Sequence, residues 1–144
     1  MTRTQRLQPV VQHTDKKQQL ALQQVAQSQG MLELEQTKLT ELKQYKLEYL
    51  QKKQRDVGVF SVLELQEFNR FLQQLEDTIA RQKEVISLRE RELEQKRVAW
   101  NATRIDSKVM HKVVDKLHKQ EIVEAERREQ KALDEFAQRK NTRD

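Results

Sequence analysis

Hydrophobic positions in this chain recur with a helical period that is interrupted once. From Leu39 to Leu75 the sequence runs through an apolar helical ridge, a short break at Val57-Gly58-Val59, and a second ridge. Before the break, apolar residues fall on two rows related by alternating steps of four and three. One row holds Leu7, Thr14, Ala21, Ser28, Glu35, Leu42 and Tyr49; the other holds Val11, Gln18, Val25, Leu32, Leu39 and Lys46. After the break, Leu65, Leu72, Ile79, Ile86, Leu93 and Trp100 form an unbroken heptad row. Its companion begins with Phe68 and Leu75, then turns polar at Gln82, Arg89, Lys96 and Thr103. The pattern predicts an all-α chain of two long helices, an antiparallel coiled-coil hairpin. Residues 1–144 read as that single hairpin, with helix 1 over about 6–54, a turn over about 55–61 and a longer helix 2 over about 62–139.

Local signals support those boundaries. Pro9 suits the first turn of a helix, which places the start of helix 1 between Arg6 and Pro9. Ser61 and Glu64 stand in S-x-x-E spacing, so the hydroxyl can accept from the Glu64 N–H while the carboxylate reaches back. Phe60 and Leu65 occupy the two positions of a hydrophobic staple around that cap. Gly58 lies where a left-handed helix terminator is needed. Gly30, on the outer face of helix 1, marks a soft point where a bend can form.

Folding the chain at Val57 gives an expected register. Tyr49 then opposes Leu65, Leu42 opposes Leu72, Ala21 opposes Leu93, and Thr14 lies beside Trp100. Past Trp100 the seam is expected to continue through Met110, Val114 and Leu117. It then slips by one residue, as in a stutter, to Ile122, Ala125, Leu133 and Phe136. At 1.5 Å per residue the arms are unequal, about 72 Å against about 117 Å. Helix 1 is used up near residue 110 of its partner, leaving roughly 25 helical residues of helix 2 with nothing in the chain to pack on. An apolar stripe on such an unpaired helix predicts a partner.

Composition narrows the class. Hydrophobic residues make up 35% and charged residues 35%, with two glycines and one proline, which suits one buried seam and not a layered core. Sustained periodicity argues against disorder. Without cysteine there are no disulfides or thiolate metal sites. No apolar run approaches a membrane span, and the first residues lack the apolar core of a secretory signal, so a cytoplasmic setting is expected. The net charge is +5, but its sign alternates along both helices, as on a solvated surface and not a nucleic-acid footprint.

Candidate chemistry is sparse. A two-helix hairpin offers no concave pocket, and no Gly-rich phosphate loop is present, so a non-enzymatic chain without a cofactor is expected. The carboxylates alternate with lysines and arginines at helical spacing. His111, Asp115 and His118 lie on neighbouring turns, but three ligands on an exposed helix read as surface and not as a metal site. The stretch Arg104, Lys108, His111, Lys112, Lys116, His118 and Lys119 fits an acidic protein surface better than nucleic acid. Arg139, Lys140 and Arg143 oppose the helix dipole.

The edges of the seam are more informative. Just before the seam positions of helix 1 lie Met31, Lys38 and Tyr45; on helix 2 the matching edge carries Phe71, Thr78 and Val85. The register pairs Tyr45 with Phe71, Lys38 with Thr78 and Met31 with Val85. The opposite edge of helix 2, with Asn69, Glu76, Lys83 and Glu90, is polar. Tyr45 and Phe71 either thicken the seam or form a docking edge, where burying both rings contributes about 3–6 kcal/mol.

The opening Arg6-Leu7-x-Pro9-Val10-Val11, the ridge Leu39-x-x-Leu42-x-x-Tyr45-x-x-Glu48-Tyr49, the ridge Phe68-x-x-Phe71-x-x-x-Leu75-x-x-x-Ile79, and the closing Asp134-Glu135-Phe136-Ala137-Gln138-Arg139 together resemble the FliJ family of flagellar export proteins. The resemblance spans nearly the whole chain. It implies an antiparallel coiled coil similar to the central stalk of rotary ATP synthases, serving type III export in bacterial motility and chemotaxis. It also implies binding to the hexameric export ATPase FliI, with regulation of its ring assembly and activity. A further implied partner is the cytoplasmic domain of the export-gate protein FlhA, and empty export chaperones are a third. The gate-facing patch carries over to Leu42, Tyr45, Tyr49, Phe71 and Leu75, continued by Thr78 and Gln82. The stalk analogy directs Val109, Val113, Ile122 and Phe136 toward the ATPase ring. The implied location is cytoplasmic, held to the inner-membrane apparatus through partners. A chaperone-like client-binding coiled coil, or the stalk of a related injectisome, is the alternative.

Overall fold

The computed structural model describes residues 2–56, 58 and 60–143. They form two helices, α1 (Arg3–Arg55) and α2 (Val62–Arg143), which pack against each other as a hairpin. Among the described residues no helix is long and apolar enough to cross a membrane.

α1 starts earlier than Pro9 suggested, because a capping box stands at its head. The Gln5 N–H donates to Thr2 Oγ1 at 3.2 Å, and the Thr2 N–H donates back to Gln5 Oε1 at 3.1 Å. Pro9 therefore lies inside the helix. α1 also runs unbroken through Gly30. At the turn, Gly58 has φ +97°, a value that L side chains rarely adopt. The Glu64 N–H donates to Ser61 Oγ at 3.2 Å, which forms the expected cap of α2. Phe60 and Leu65, the expected staple pair, are both exposed, and the Phe60 ring lies 6.5 Å from that of Phe68.

The chain divides into two compact units. One comprises Leu22–Ala99 and contains the turn. Leu32, Ile86 and Leu93 form its buried cluster, with Val25 and Leu39 packed against it. Phe68, Leu75 and Ile79 are also buried. These contacts correct the expected register by about one helical turn. Tyr49 stacks on Phe68 and not Leu65, and Leu93 joins Val25 and not Ala21. The physical reason is the connector. With α1 ending at Arg55 and α2 beginning at Val62, its centre falls between positions 58 and 59. The assumed fold point Val57 and its neighbour Val59 lie outside the described residues.

One pair of polar seam positions in this unit is bonded across the two helices. Gln82 Nε2 donates to the Glu35 carbonyl at 2.9 Å and to Glu35 Oε2 at 2.6 Å. That bond is the main cause that holds the Glu35 carboxyl below its ordinary range.

The other unit comprises Met1–Ala21 and Trp100–Asp144. Val11 and Ser107 are its buried residues among those described. The Thr14 hydroxyl donates to the Val11 carbonyl at 2.9 Å. The expected slip beyond Leu117 is absent. The heptad rows continue as Trp100, Ser107, Val114 and Glu121, and as Thr103, Met110 and Leu117, all buried or half-buried. Ser107 and Glu121 hold seam positions by hydrogen bonding, so a search for apolar residues passes over them. Glu121 accepts the Thr4 N–H, and helix 1 is used up there and not near residue 110. From Ile122 to Thr142 every residue is exposed.

Candidate docking surfaces

In the turn-bearing unit, aromatic rings from both helices meet beside the seam. Tyr49 and Phe68 are nearly parallel, with centroids 4.6 Å apart and an interplanar angle of 4°. Phe71 lies 4.6 Å from Tyr49 at a tilt of 54°, and Tyr45 meets Phe71 edge-to-face at 6.0 Å. Lys53 Nζ sits 4.4 Å above the Phe68 ring, within cation–π range. Burial is the main cause that raises the Tyr49 phenol above its ordinary pKa. Together with Lys52, Asp56, Phe60, Glu64 and Glu67, these residues line an open groove of about 520 Å³. A concave feature therefore exists on the hairpin, contrary to expectation. It has an apolar aromatic floor with lysines and carboxylates at the rim.

The residues that resemblance assigned to the gate occupy different environments. Tyr45 is 49% exposed, and Tyr49, Phe71 and Thr78 are half-buried. Leu75 is only 7% exposed and packs into the seam, where Leu42 is also half-buried. The Gln82 amide is committed to Glu35. Tyr45 and Phe71 meet as the register proposed, whereas Lys38 turns to Glu35 of its own helix at 3.4 Å and the Thr78 hydroxyl donates to the Gln74 carbonyl at 2.8 Å.

Val109, Val113, Ile122 and Phe136 are all exposed on α2. Near them is a polar clasp that sequence reasoning missed. Ser107 Oγ donates to Asp15 Oδ1 at 2.5 Å, and His111 Nε2 lies 2.9 Å and 3.1 Å from the two Asp15 oxygens. The Ser107 bond is the leading cause that depresses the Asp15 carboxyl, followed by the bond from His111. Asp15 sits one residue after the seam position Thr14, and Ser107 and His111 are i,i+4 on the facing helix, which was the available signal. His111 thus bonds α1 and leaves Asp115 to pair with Lys119 at 3.3 Å. Among the described residues no group of three or more His, Asp or Glu is placed to hold a metal ion.

A family model described as "Flagellar FliJ protein" matches residues 3–144. Neither the curated proteins nor the solved structures hold a significant match.

Proposed function

The chain belongs to the flagellar FliJ family of export-apparatus components, and from that premise we propose that it is a non-enzymatic coupling stalk between the export ATPase and the export gate. The observation that carries this reading is the α2 segment beyond Glu121. It leaves the pairing with α1 and keeps Ile122, Val123, Leu133 and Phe136 open to a partner. In this proposal the FliI ring receives that end, with Val109 and Val113 at the margin of the contact. The FlhA cytoplasmic domain docks on the aromatic edge at Tyr45 and Phe71, with Tyr49 and Thr78 beside them. Leu42, Leu75 and Gln82 support that edge through the seam. Escort of empty export chaperones uses the same exposed apolar surfaces.

The test separates the two ends. A chain truncated after Ile122 keeps its helicity and FlhA binding and loses stimulation of FliI; full stimulation by the shortened chain overturns the assignment of this end. Tyr45→Ala, at an exposed edge position, lowers FlhA binding with little change in thermal stability. Unchanged FlhA affinity would assign the Tyr45 ring to the seam instead. Broad suppression of aggregation of unrelated clients, without a saturable partner, would favour a client holder.

A further inference from the structure

In the unit of Met1–Ala21 and Trp100–Asp144, the start of α1 is held to α2 largely by polar bonds. Val11 is the one buried apolar residue of the unit among those described, and Leu7, Met110, Val114 and Leu117 are half-buried. Thr4 bonds to Glu121, and Asp15 bonds to Ser107 and His111. A terminal stretch of about 20 residues has little helical stability of its own. Opening this stretch therefore costs less than opening the buried cluster around Leu32 and Leu93.

One fastening carries a group that changes charge near neutral pH. His111 Nε2 lies within hydrogen-bond reach of both Asp15 oxygens, with the imidazole 55% and the carboxylate 39% exposed. From α1 no other charge faces the ring. Val11, Gln12, Gln18 and Gln19 stand one turn either side of Asp15, and Lys16 and Lys17 lie about 100° and 200° further round the helix. On α2, Lys108 opposes a charge on His111, and Asp115 favours it while pairing with Lys119. Arg104 is turned to the Trp100 ring, and His118 lies one heptad on, beside Glu121.

We propose that residues 3–21 form a strap whose seating on α2 is set by the charge on His111, fastened when the imidazole is charged and loosened when it is neutral. With a proton on Nε2 the ring donates to Asp15 in both states, and the charge roughly doubles the strength of that bond. The bonds from Ser107 and His111 hold the Asp15 carboxyl below its ordinary range, so it stays ionised while the imidazole titrates. An imidazole gains its charge between about pH 8 and pH 5. The stabilisation is complete at the acid end of that window and is lost as pH rises through it. Loosening uncovers Met110, Val114 and Leu117, so pH sets how much of α2 is free of α1. The strap does not depend on which partners the chain binds.

Hydrogen exchange of the full chain, read by mass spectrometry and corrected for intrinsic chemical rates, measures the seating at about pH 6 and about pH 8. Protection over residues 3–21 should be roughly threefold higher at the lower pH, as expected for one exposed ion pair. Segments around Leu32 and Leu93 should be protected equally at both. His111→Gln keeps a donor without the charge and should give the lower protection at both pH values. His111→Arg, charged throughout, should give the higher protection at both. His13→Gln, on another face of α1, and His118→Gln should leave most of the difference in place. Equal protection of the parent strap at the two pH values overturns the proposal, as does an undiminished difference in His111→Gln.

Discussion

Glu121 accepts two hydrogen bonds from Thr4: Oε1 takes the backbone N–H at 3.1 Å, and Oε2 takes the hydroxyl at 2.9 Å. Thr4 lies in the first turn of α1, where backbone N–H groups have no partner within the helix. The second helix therefore caps the first and marks where their pairing ends.

Removing that cap should fray the start of α1 without unfolding the hairpin. Glu121→Ala is expected to raise amide hydrogen exchange over the first turn of α1 and leave Leu32 and Leu93 protected. Thr2→Ala removes the local cap of the same helix and should cost about 1 kcal/mol. Equal exchange in variant and parent would show that the Thr4 bonds contribute nothing.

The two glycines should respond to alanine with opposite signs. Space is open around both, so sterics does not separate them. Gly58 has φ +97°, and Gly58→Ala should destabilise by about 1–2 kcal/mol. Gly30 lies inside α1, where Gly30→Ala should stabilise by about 0.5–1 kcal/mol. Denaturant melts of the two variants give the comparison.

Apolar residues on α2 should divide sharply by position. Leu93 is buried in the cluster with Leu32 and Ile86, so Leu93→Ala should cost about 2–5 kcal/mol. Leu133 is exposed, and Leu133→Ala should stay within about 0.5 kcal/mol of the parent. Thermal unfolding measures both.

Stability should fall at both ends of the pH scale. Asp15, Glu35 and Glu121 are held below the ordinary carboxylate range, chiefly by Ser107, Gln82 and the Thr4 backbone N–H respectively. A carboxylate lowered on folding contributes stability above its unfolded pKa, and that contribution is lost as pH falls through the folded value. The melting temperature should therefore hold down to about pH 4 and decline below it. Tyr49 is raised, chiefly by burial, so its contribution is complete below its unfolded pKa and fades as pH rises past about 10. Circular dichroism melts across pH, repeated with Asp15→Asn and Tyr49→Phe, should locate both declines.

Much of the fold was legible in the sequence because a buried seam imposes a period. The rows from Leu7 to Tyr49, Val11 to Lys46 and Leu72 to Trp100 are half-buried or buried throughout, including the polar members Glu35 and Gln18. The cap at Ser61 and the positive φ at Gly58 follow from local chemistry and were equally readable. The capping box at Thr2 and Gln5 was readable too, but the weight given to Pro9 hid it. Ser107 and Glu121 could not be read as seam residues from hydrophobicity. What qualifies each is a partner on the other helix: Asp15 for one, Thr4 for the other. The aromatic edge was partly visible, since Tyr45 and Phe71 fell together, whereas the contacts of Phe60 and Lys53 with Phe68 depend on how the turn closes.

By itself the sequence determined that there are two helices, where they break and which face of each is buried. Helical periodicity and capping are local, and a heptad states its face wherever it lies. The register was decided by tertiary structure, because sliding one helix along the other by about a turn returns an equivalent apolar pattern. Only individual side chains break that equivalence. Tyr49 stacked on Phe68 and Gln82 bonded to Glu35 select the alignment of the turn-bearing unit, and in the other unit Glu121 bonded to Thr4 marks the point from which α2 continues unpaired by α1.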